Sequence, residues 1–536
     1  MTPARPFPWS AIVVAMALLL RLAGVDWGLP GPDRYWSHHP DESQVVVAAQ
    51  SLDPIRGRFA TGFYNYGQGY LLAGSIASRA AQGMGIAPTQ PSEVPPLAPT
   101  LLWFRFVSAV AGTLAVAWLI AAGSRLYSRQ VGLIAGAMLA EAPLAVQHAH
   151  FATVDTFAMA AVTGATLLAS RYASGGSSAW LPLAGLASGV AAGTKYNAGL
   201  VLALVLAAWW NVRPRAPRML LGTLASAGFG FLLSCPGAAI EFDRFREDLL
   251  FEARHMGAGS EDIFAGTWPG WIHHGFINLP WALGPVTAAC VAIGVGSALR
   301  RRAPADGLIA AFVVPYWLLI GAAQVKFARY LLPVLPLLVL WAAAAFPATT
   351  RGWAARFRWF AFAGIATGFV VSIAFDLLFM GADPRDQSLR WMREHGTRRV
   401  AFARRPWYWS PAVSPGLGHF SPAGAAAAAA NWQGAPQIAA PSMAEGWSQE
   451  FLVDCAADVV VVSEFEARDG LRIGSPRVTR YLDALGRSHP KRIVFESPLA
   501  LGRLRFSRTS VLDGFPVSNL PHDMLYANPT IVLHTP

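Results

Sequence analysis

The stretch His38-His39-Pro40-Asp41-Glu42 sets two adjacent carboxylates just beyond the first apolar run of a chain rich in such runs. Carboxylates are costly to hold beside lipid and useful there for taking a proton or holding a cation, so the pair points to chemistry beyond anchoring. Asp41 reads as a general base, with Glu42 orienting it or binding an acceptor. The plainer alternative is that Pro40-Asp41-Glu42 starts a helix, because carboxylates favour the first turn. More groups follow downstream. Gln147-His148-Ala149-His150 leads to Asp155, which stands where the next apolar run begins and is a candidate catalytic carboxylate, with a polar turn between two spans as the plainer alternative. Lys195-Tyr196-Asn197 interrupts an Ala/Gly-rich run, and Lys326-Phe327-Ala328-Arg329-Tyr330 sets two cations within one helical turn. Guanidinium forks match phosphate oxygens, so these cations read as anion ligands, with snorkelling at a span end as the competing explanation. The binding set is Lys195, Tyr196, Lys326, Arg329, Tyr330, His150, His255, Glu252 and Arg105. His148-x-His150 has the look of a metal pair, but no further Cys or His follows at ligand spacing, and no metal site is read.

The elements that position these groups are membrane elements. The chain has 536 residues, 54% hydrophobic and 14% charged, against about 25% charged in a soluble globular chain. Apolar runs recur at about 101–122, 130–147, 151–170, 179–194, 197–211, 219–236, 279–299, 307–323, 328–346 and 358–380. With the first run, from about Trp9 to Leu20, they predict about eleven crossings of a polytopic α-helical membrane protein. Lipid-facing barrel strands alternate apolar and polar residues, a pattern not seen here. The first run lacks a small-x-small cleavage site and reads as a retained signal anchor. Gly69–Met84 reads as a helix lying at the interface.

Arginines fall in alternate loops: Arg125 and Arg129, Arg171, Arg213 to Arg218, Arg300-Arg301-Arg302, and Arg351 to Arg358. Positive loops face the cytoplasm, so the N-terminus is expected inside and the acidic pair outside, with the Asp155, Lys195 and Arg329 turns and the long loops 24–100 and 237–278 on the same side. The same rule accounts for the net charge of +11 and removes the case for nucleic acid as a partner. Trp268, Trp271 and their neighbours in the 237–278 loop read as interface belt residues or as a platform for a sugar or lipid. Cys235, Cys290 and Cys455 form no ligand or disulfide pattern. Beyond about residue 380 the composition changes. Strand-like runs at Val400–Ala403, Val459–Ser463 and Arg492–Glu496, helix-like runs at Ser388–His395 and Val478–Leu485, and an Ala/Gly-rich stretch at Pro422–Ala430 read as a soluble extracytoplasmic α/β domain over 381–536.

Four motifs together resemble the GT-C glycosyltransferases of the protein O-mannosyltransferase and aminoarabinose transferase type: His39-Pro40-Asp41-Glu42, His150-Phe151-Ala152-Thr153-Val154-Asp155-Thr156, Thr194-Lys195-Tyr196-Asn197 and Arg329-Tyr330-Leu331-Leu332-Pro333. The resemblance covers the membrane region to about residue 380. It implies a GT-C transmembrane catalytic domain over 1–380 in a bacterial inner (plasma) membrane, with the site on the periplasmic face. It also implies inverting transfer of a sugar from a polyprenyl-phosphate carrier to a hydroxyl on a lipid, glycan or protein. Asp41 would deprotonate that hydroxyl, Asp155 would match the second acidic position, and Arg329 with Lys195 would stabilise the departing lipid phosphate. Some relatives use a divalent cation, and no ligand set here decides the matter. The chain departs from the protein mannosyltransferases in showing no inserted luminal repeat domain. Two other classes compete: a transporter or flippase for a lipid-linked anionic glycan, and a silent scaffold. The ionisable groups cluster on one side, which disfavours transport.

Overall fold

The computed structural model describes residues 8–31, 33–86, 97–259, 263–346, 353–414, 436–439, 446–507 and 509–536. The stretch Pro422–Ala430 lies outside them. The first half is helical: α1 (Trp9–Leu22), α2 (Glu42–Gln50), α3 (Gly69–Gly83), α4 (Leu97–Leu126), α5 (Arg129–Ala140), α6 (Pro143–Ala149), α7 (Val154–Ala173), α8 (Trp180–Ala192), α9 (Val201–Asn211) and α10 (Pro217–Ser234). Further apolar helices run over Pro285–Arg301, Pro304–Ala322, Leu335–Ala344 and Trp353–Met380. Small residues let the helices close on each other: a Cβ on Gly189 of α8 would strike the Ala227 carbonyl of α10. On its other side α10 shows Leu221, Phe229, Leu232 and Leu233 to its surroundings, as expected of a lipid-facing surface.

Every long apolar run is mainly helical, yet few make one unbroken span. By length and composition three stretches among the described residues can cross a membrane, Leu97–Leu126, Pro304–Ala322 and Trp359–Glu394, and a fourth if the pair α5 and α6, bent by 59°, counts as one. The expected number of about eleven is therefore not reached on that measure. The 130–147 run is cut at Glu141-Ala142, before a proline in the first turn of α6. The 279–299 run is cut at Gly284, whose φ is +77°. Arg21 stabilises the first of these breaks. Fully buried, it donates to the free carbonyls of Leu139 (3.2 Å) and Ala140 (2.9 Å) at the end of α5, groups left without helical partners there. The Gly69–Met84 stretch forms α3.

The last third contains a five-stranded sheet. Its order is Gln437–Ala439, Arg399–Phe402, Val459–Ser463, Ile531–Thr535, Lys491–Phe495, with the first three strands parallel and the last two antiparallel to their neighbours. Four consecutive valines fill Val459–Val462, and all five residues of that strand are buried, as a strand covered on both faces requires. Helices Pro384–Glu394, Glu464–Arg472 and Pro476–Ser488 accompany the sheet. The chain between the sheet's fourth and fifth partners, around His522–Tyr526, returns to the helical half.

Candidate functional site

The charged residues of the helical half sort to helix ends. Arg125 closes α4, Arg171 lies in the last turn of α7, and Arg300 and Arg301 close Pro285–Arg301. Asp155 lies in the first turn of α7, Lys195 follows α8, and Arg329 follows Pro304–Ala322 in a short 3₁₀ turn. Asp155, with Lys195 paired to it and Arg329 within its electrostatic reach, thus lies at the end of α7 opposite Arg171.

Asp41 immediately precedes α2, but its side chain makes no capping bond. It turns instead to Arg329, with Oδ2 3.2 Å from Nη1. Burial pushes the Asp41 carboxyl above its ordinary pKa against the pull of Arg329 and Lys195, while Asp155 and Glu42 add to the rise. Asp155 Oδ1 lies 2.5 Å from Lys195 Nζ. The same ammonium stands 5.1 Å from the centre of the Tyr330 ring, an attractive cation–π placement. Tyr330 follows Arg329, so one backbone step joins the two ion pairs. Glu252, on the helix Phe242–Ala258, accepts from Asn65 Nδ2 at 2.7 Å. Burial also lifts its pKa, and Arg329 and Asp41 both lie within its electrostatic reach.

The loop Tyr64–Tyr70 seats this face on α8. Gly69 N–H donates to the Gly193 carbonyl at 2.9 Å, and a Cβ on Gly67 would strike that same carbonyl. Tyr196 donates its hydroxyl to the Tyr64 carbonyl at 2.7 Å, so its role here is to hold the loop. His255 shares the helix of Glu252, with its ring 6.1 Å from that of Phe251.

Several expected site residues have other partners. Glu42 is fully buried and gripped by Arg105, which donates Nε to Oε1 (2.8 Å) and Nη2 to Oε2 (2.7 Å). Arg105 also donates to the Val25 and Trp27 carbonyls, and Ala152 N–H donates to Glu42. The pair ties the first loop to α4 and to the start of α7, behind Asp41. His150 has ring nitrogens 2.9 Å and 2.8 Å from the Val146 and Ala23 carbonyls and stacks on Phe379. Lys326 donates to Thr267 Oγ1 at 3.0 Å, which holds the 237–278 loop. Among the described residues no group of three or more His, Cys, Asp or Glu could hold a metal ion. Asp41 and Asp155 each face a cation.

The C-terminal third supplies partners that sequence reasoning missed. Asp523 accepts from the backbone N–H of Ala328 (3.0 Å) and Arg329 (2.8 Å), and Tyr526 O–η accepts from Arg329 Nη1 at 3.2 Å. Arg385, fully buried and paired with Asp383, donates to the carbonyls of His38 (3.2 Å), Tyr408 (2.7 Å) and Tyr526 (2.8 Å). These contacts fix the loop of Asp41 and the turn of Arg329 to one support. No local pattern around Asp523 marks it. The Tyr64–Tyr70 loop did carry a signal in its alternating aromatic and glycine residues, and Tyr66 within it lies within electrostatic reach of Asp41 and Arg329.

Residues 100–235 match the model of the dolichyl-phosphate-mannose-protein mannosyltransferase family. That segment holds Arg105, His150, Asp155, Lys195 and Tyr196, and stops short of Asp41 and Arg329 on either side. The resemblance read from the sequence is borne out by this match. Among solved structures, the chain is similar to ArnT from Cupriavidus metallidurans bound to undecaprenyl phosphate, at 15% identity over 73% of each chain with a TM-score of 0.49. It is also similar to the oligosaccharyltransferase AglB from Archaeoglobus fulgidus in complex with an inhibitory peptide and a dolichol-phosphate, at 13% identity over 90% of this chain and 72% of that one, with a TM-score of 0.48. No curated protein matches the chain.

Proposed function

We propose that this chain is an integral-membrane inverting glycosyltransferase that moves a sugar from a polyprenyl-phosphate carrier to an acceptor hydroxyl on the extracytoplasmic face. The observation that carries the reading is the pairing of Asp41 with Arg329, beside Asp155 with Lys195, at the end of α7 opposite Arg171. A base next to a guanidinium is the equipment needed when one oxygen must lose a proton and another must gain charge. The match of residues 100–235 to the mannosyltransferase family supports the same reading.

In this mechanism Asp41 takes the proton of the acceptor hydroxyl. The freed oxygen attacks the anomeric carbon from the face opposite the carrier. The bond from that carbon to the phosphate oxygen breaks, and its electron pair leaves with the lipid phosphate. Arg329 meets the charge that develops there, and Lys195, held by Asp155 and the Tyr330 ring, adds a second cation. Glu42 and Arg105 act at one remove, by holding the loop that presents Asp41. The C-terminal region, taken as an extracytoplasmic domain over 381–536, supports Arg329 through Asp523 and Tyr526.

The test is transfer from a labelled polyprenyl-phosphate sugar in proteoliposomes, with cell-envelope extract as acceptor. Asp41→Asn is expected to lower the rate by about 10² to 10⁴, the usual contribution of a positioned base. Full transfer by that variant overturns the role given to Asp41. Movement of the lipid-linked sugar across the bilayer with no glycosidic product overturns the transferase reading.

A further inference from the structure

A groove of about 530 Å³ runs between α4, α7 and α8. Its walls are apolar, including Leu114, Trp118, Phe157, Leu168 and Leu183, and it is open because Gly164 and several alanines leave space between the helices. Leu114 and Leu183 are exposed, so none of the described residues covers the groove there. One lining residue is charged, Arg171 in the last turn of α7. Its guanidinium carbon lies 4.3 Å from the centre of the Trp180 ring. Its Nε is withdrawn from solvent and has no hydrogen-bond partner among the described residues. Arg125 and Arg129 lie at the same end, in the connection from α4 to α5.

We propose that this groove seats one acyl chain of an anionic phospholipid whose phosphate engages Arg171. The walls select a hydrocarbon chain, since they offer it contact and offer a polar ligand nothing. The cation at one end selects the headgroup: Arg171 is only partly buried, and a guanidinium matches phosphate oxygens. Basic pockets between helices on the cytoplasmic side suit anionic headgroups, and Trp180 has the amphipathic ring found at that boundary. The site is separate from the one proposed for the carrier phosphate. Arg171 and Asp155 stand at opposite ends of α7, about 24 Å apart at 1.5 Å of rise per residue. A chain lying along α7 reaches Phe157, in the same turn as Asp155, and so braces the helix that presents it. The inference rests on the membrane reading of these helices and not on the transferase reading.

Native mass spectrometry of the full chain tests it without an activity assay. The protein is titrated with phosphatidylglycerol and with phosphatidylcholine of identical acyl chains. The expected result is one phosphatidylglycerol adduct that survives activation strong enough to strip phosphatidylcholine, with an affinity preference of about fivefold for one cation. Arg171→Gln is expected to abolish the preference, and Ala161→Phe, which fills the groove, to remove the retained adduct. Size-exclusion elution and melting temperature show whether each variant is folded. Arg171→Lys keeps the charge and provides a second reading if the glutamine variant misfolds: it is expected to retain a reduced preference. Equal retention of the two lipids by the unaltered protein overturns the proposal, as does a preference that persists in folded Arg171→Gln. Displacement of phosphatidylglycerol by a short polyprenyl phosphate also overturns it, because the groove would then hold the carrier.

Discussion

Asp41 and Glu42 are neighbours in the chain, and each meets an arginine, yet the two pairs are built in opposite ways. Glu42 and Arg105 have side chains with no exposure, are joined through both carboxylate oxygens, and have their remaining groups taken by two carbonyls and a backbone N–H. Asp41 and Arg329 share one contact at 3.2 Å, with side chains 26% and 11% exposed. The first pair uses almost all of its hydrogen-bonding capacity inside the protein. The second leaves carboxylate and guanidinium oriented but not consumed. A fully satisfied buried pair is a fixture, because removing either partner leaves an unpaired charge. A loosely held pair at a half-open face is one that a substrate can separate.

The strongest way to break this comparison is to exchange the consequences of the two sites. Arg105→Ala is expected to cost about 3 to 5 kcal/mol of stability, the usual result of stranding a buried charge. It should show as loss of folded protein after extraction and a lowered melting temperature. Asp41→Asn should leave both unchanged while removing transfer. If Arg105→Ala folds normally and Asp41→Asn does not, the assignment of one pair to structure and the other to chemistry is reversed.

Next in size is the guanidinium of the looser pair. Arg329→Ala is expected to lower kcat by about 10² to 10³, the cost of losing one preorganised donor to developing charge. Arg329→Lys should recover part of this, since a point charge replaces a planar fork. The check is single-turnover transfer with saturating donor, which separates the chemical step from carrier binding. An effect confined to donor KM would make Arg329 a binding residue alone.

The helical character of the described residues up to about 380, the grouping of Asp41, Asp155, Lys195 and Arg329 and their separation from Arg171 at the far end of α7 were legible, because apolarity and charge are written locally. Where a long run breaks was less legible. The cut at Glu141-Ala142 depends on Arg21, a residue 119 positions away from the Ala140 carbonyl it caps. The division of labour between Asp41 and Glu42 was not legible at all, since both are carboxylates before a helix and their partners are distant. Nor was the service of Asp523, which reaches the Arg329 backbone across 194 positions. His150 was read as a binding residue from its type, and its position between two carbonyls could only come from the fold.

A smaller effect belongs to the support of Arg329. Tyr526→Phe removes one hydrogen bond to Nη1, worth about 1 kcal/mol, and so about a fivefold loss of kcat is expected if the bond persists in the reacting complex. The melting temperature should hardly move. A fall in stability with no change in kcat would assign Tyr526 to the packing around Phe465 and Tyr408, whose rings it also touches.

The finest test is the acid limb of the pH profile. Asp41 acts as a base only when ionised, so transfer is present above its pKa and lost as pH falls through it. Burial raises that pKa and Arg329 opposes the rise, which sets the limb above the ordinary carboxylate range. Removing the opposing cation must then move the limb further up: Arg329→Gln is expected to lose its residual transfer at a higher pH than the unaltered protein. Arg105 spends its guanidinium on Glu42 and the Val25 and Trp27 carbonyls, so a folded Arg105→Lys variant, which keeps the charge there, should leave the limb close to where it was. The measurement is kcat/KM against pH for the three proteins in the same liposomes. A limb that stays fixed in Arg329→Gln, or moves down, means that the titrating base is not Asp41. Donor binding offers the converse: a carrier phosphate that draws Arg329 away from Asp41 raises the basicity of Asp41 at the moment it is needed, so the limb in kcat should lie above the limb in kcat/KM.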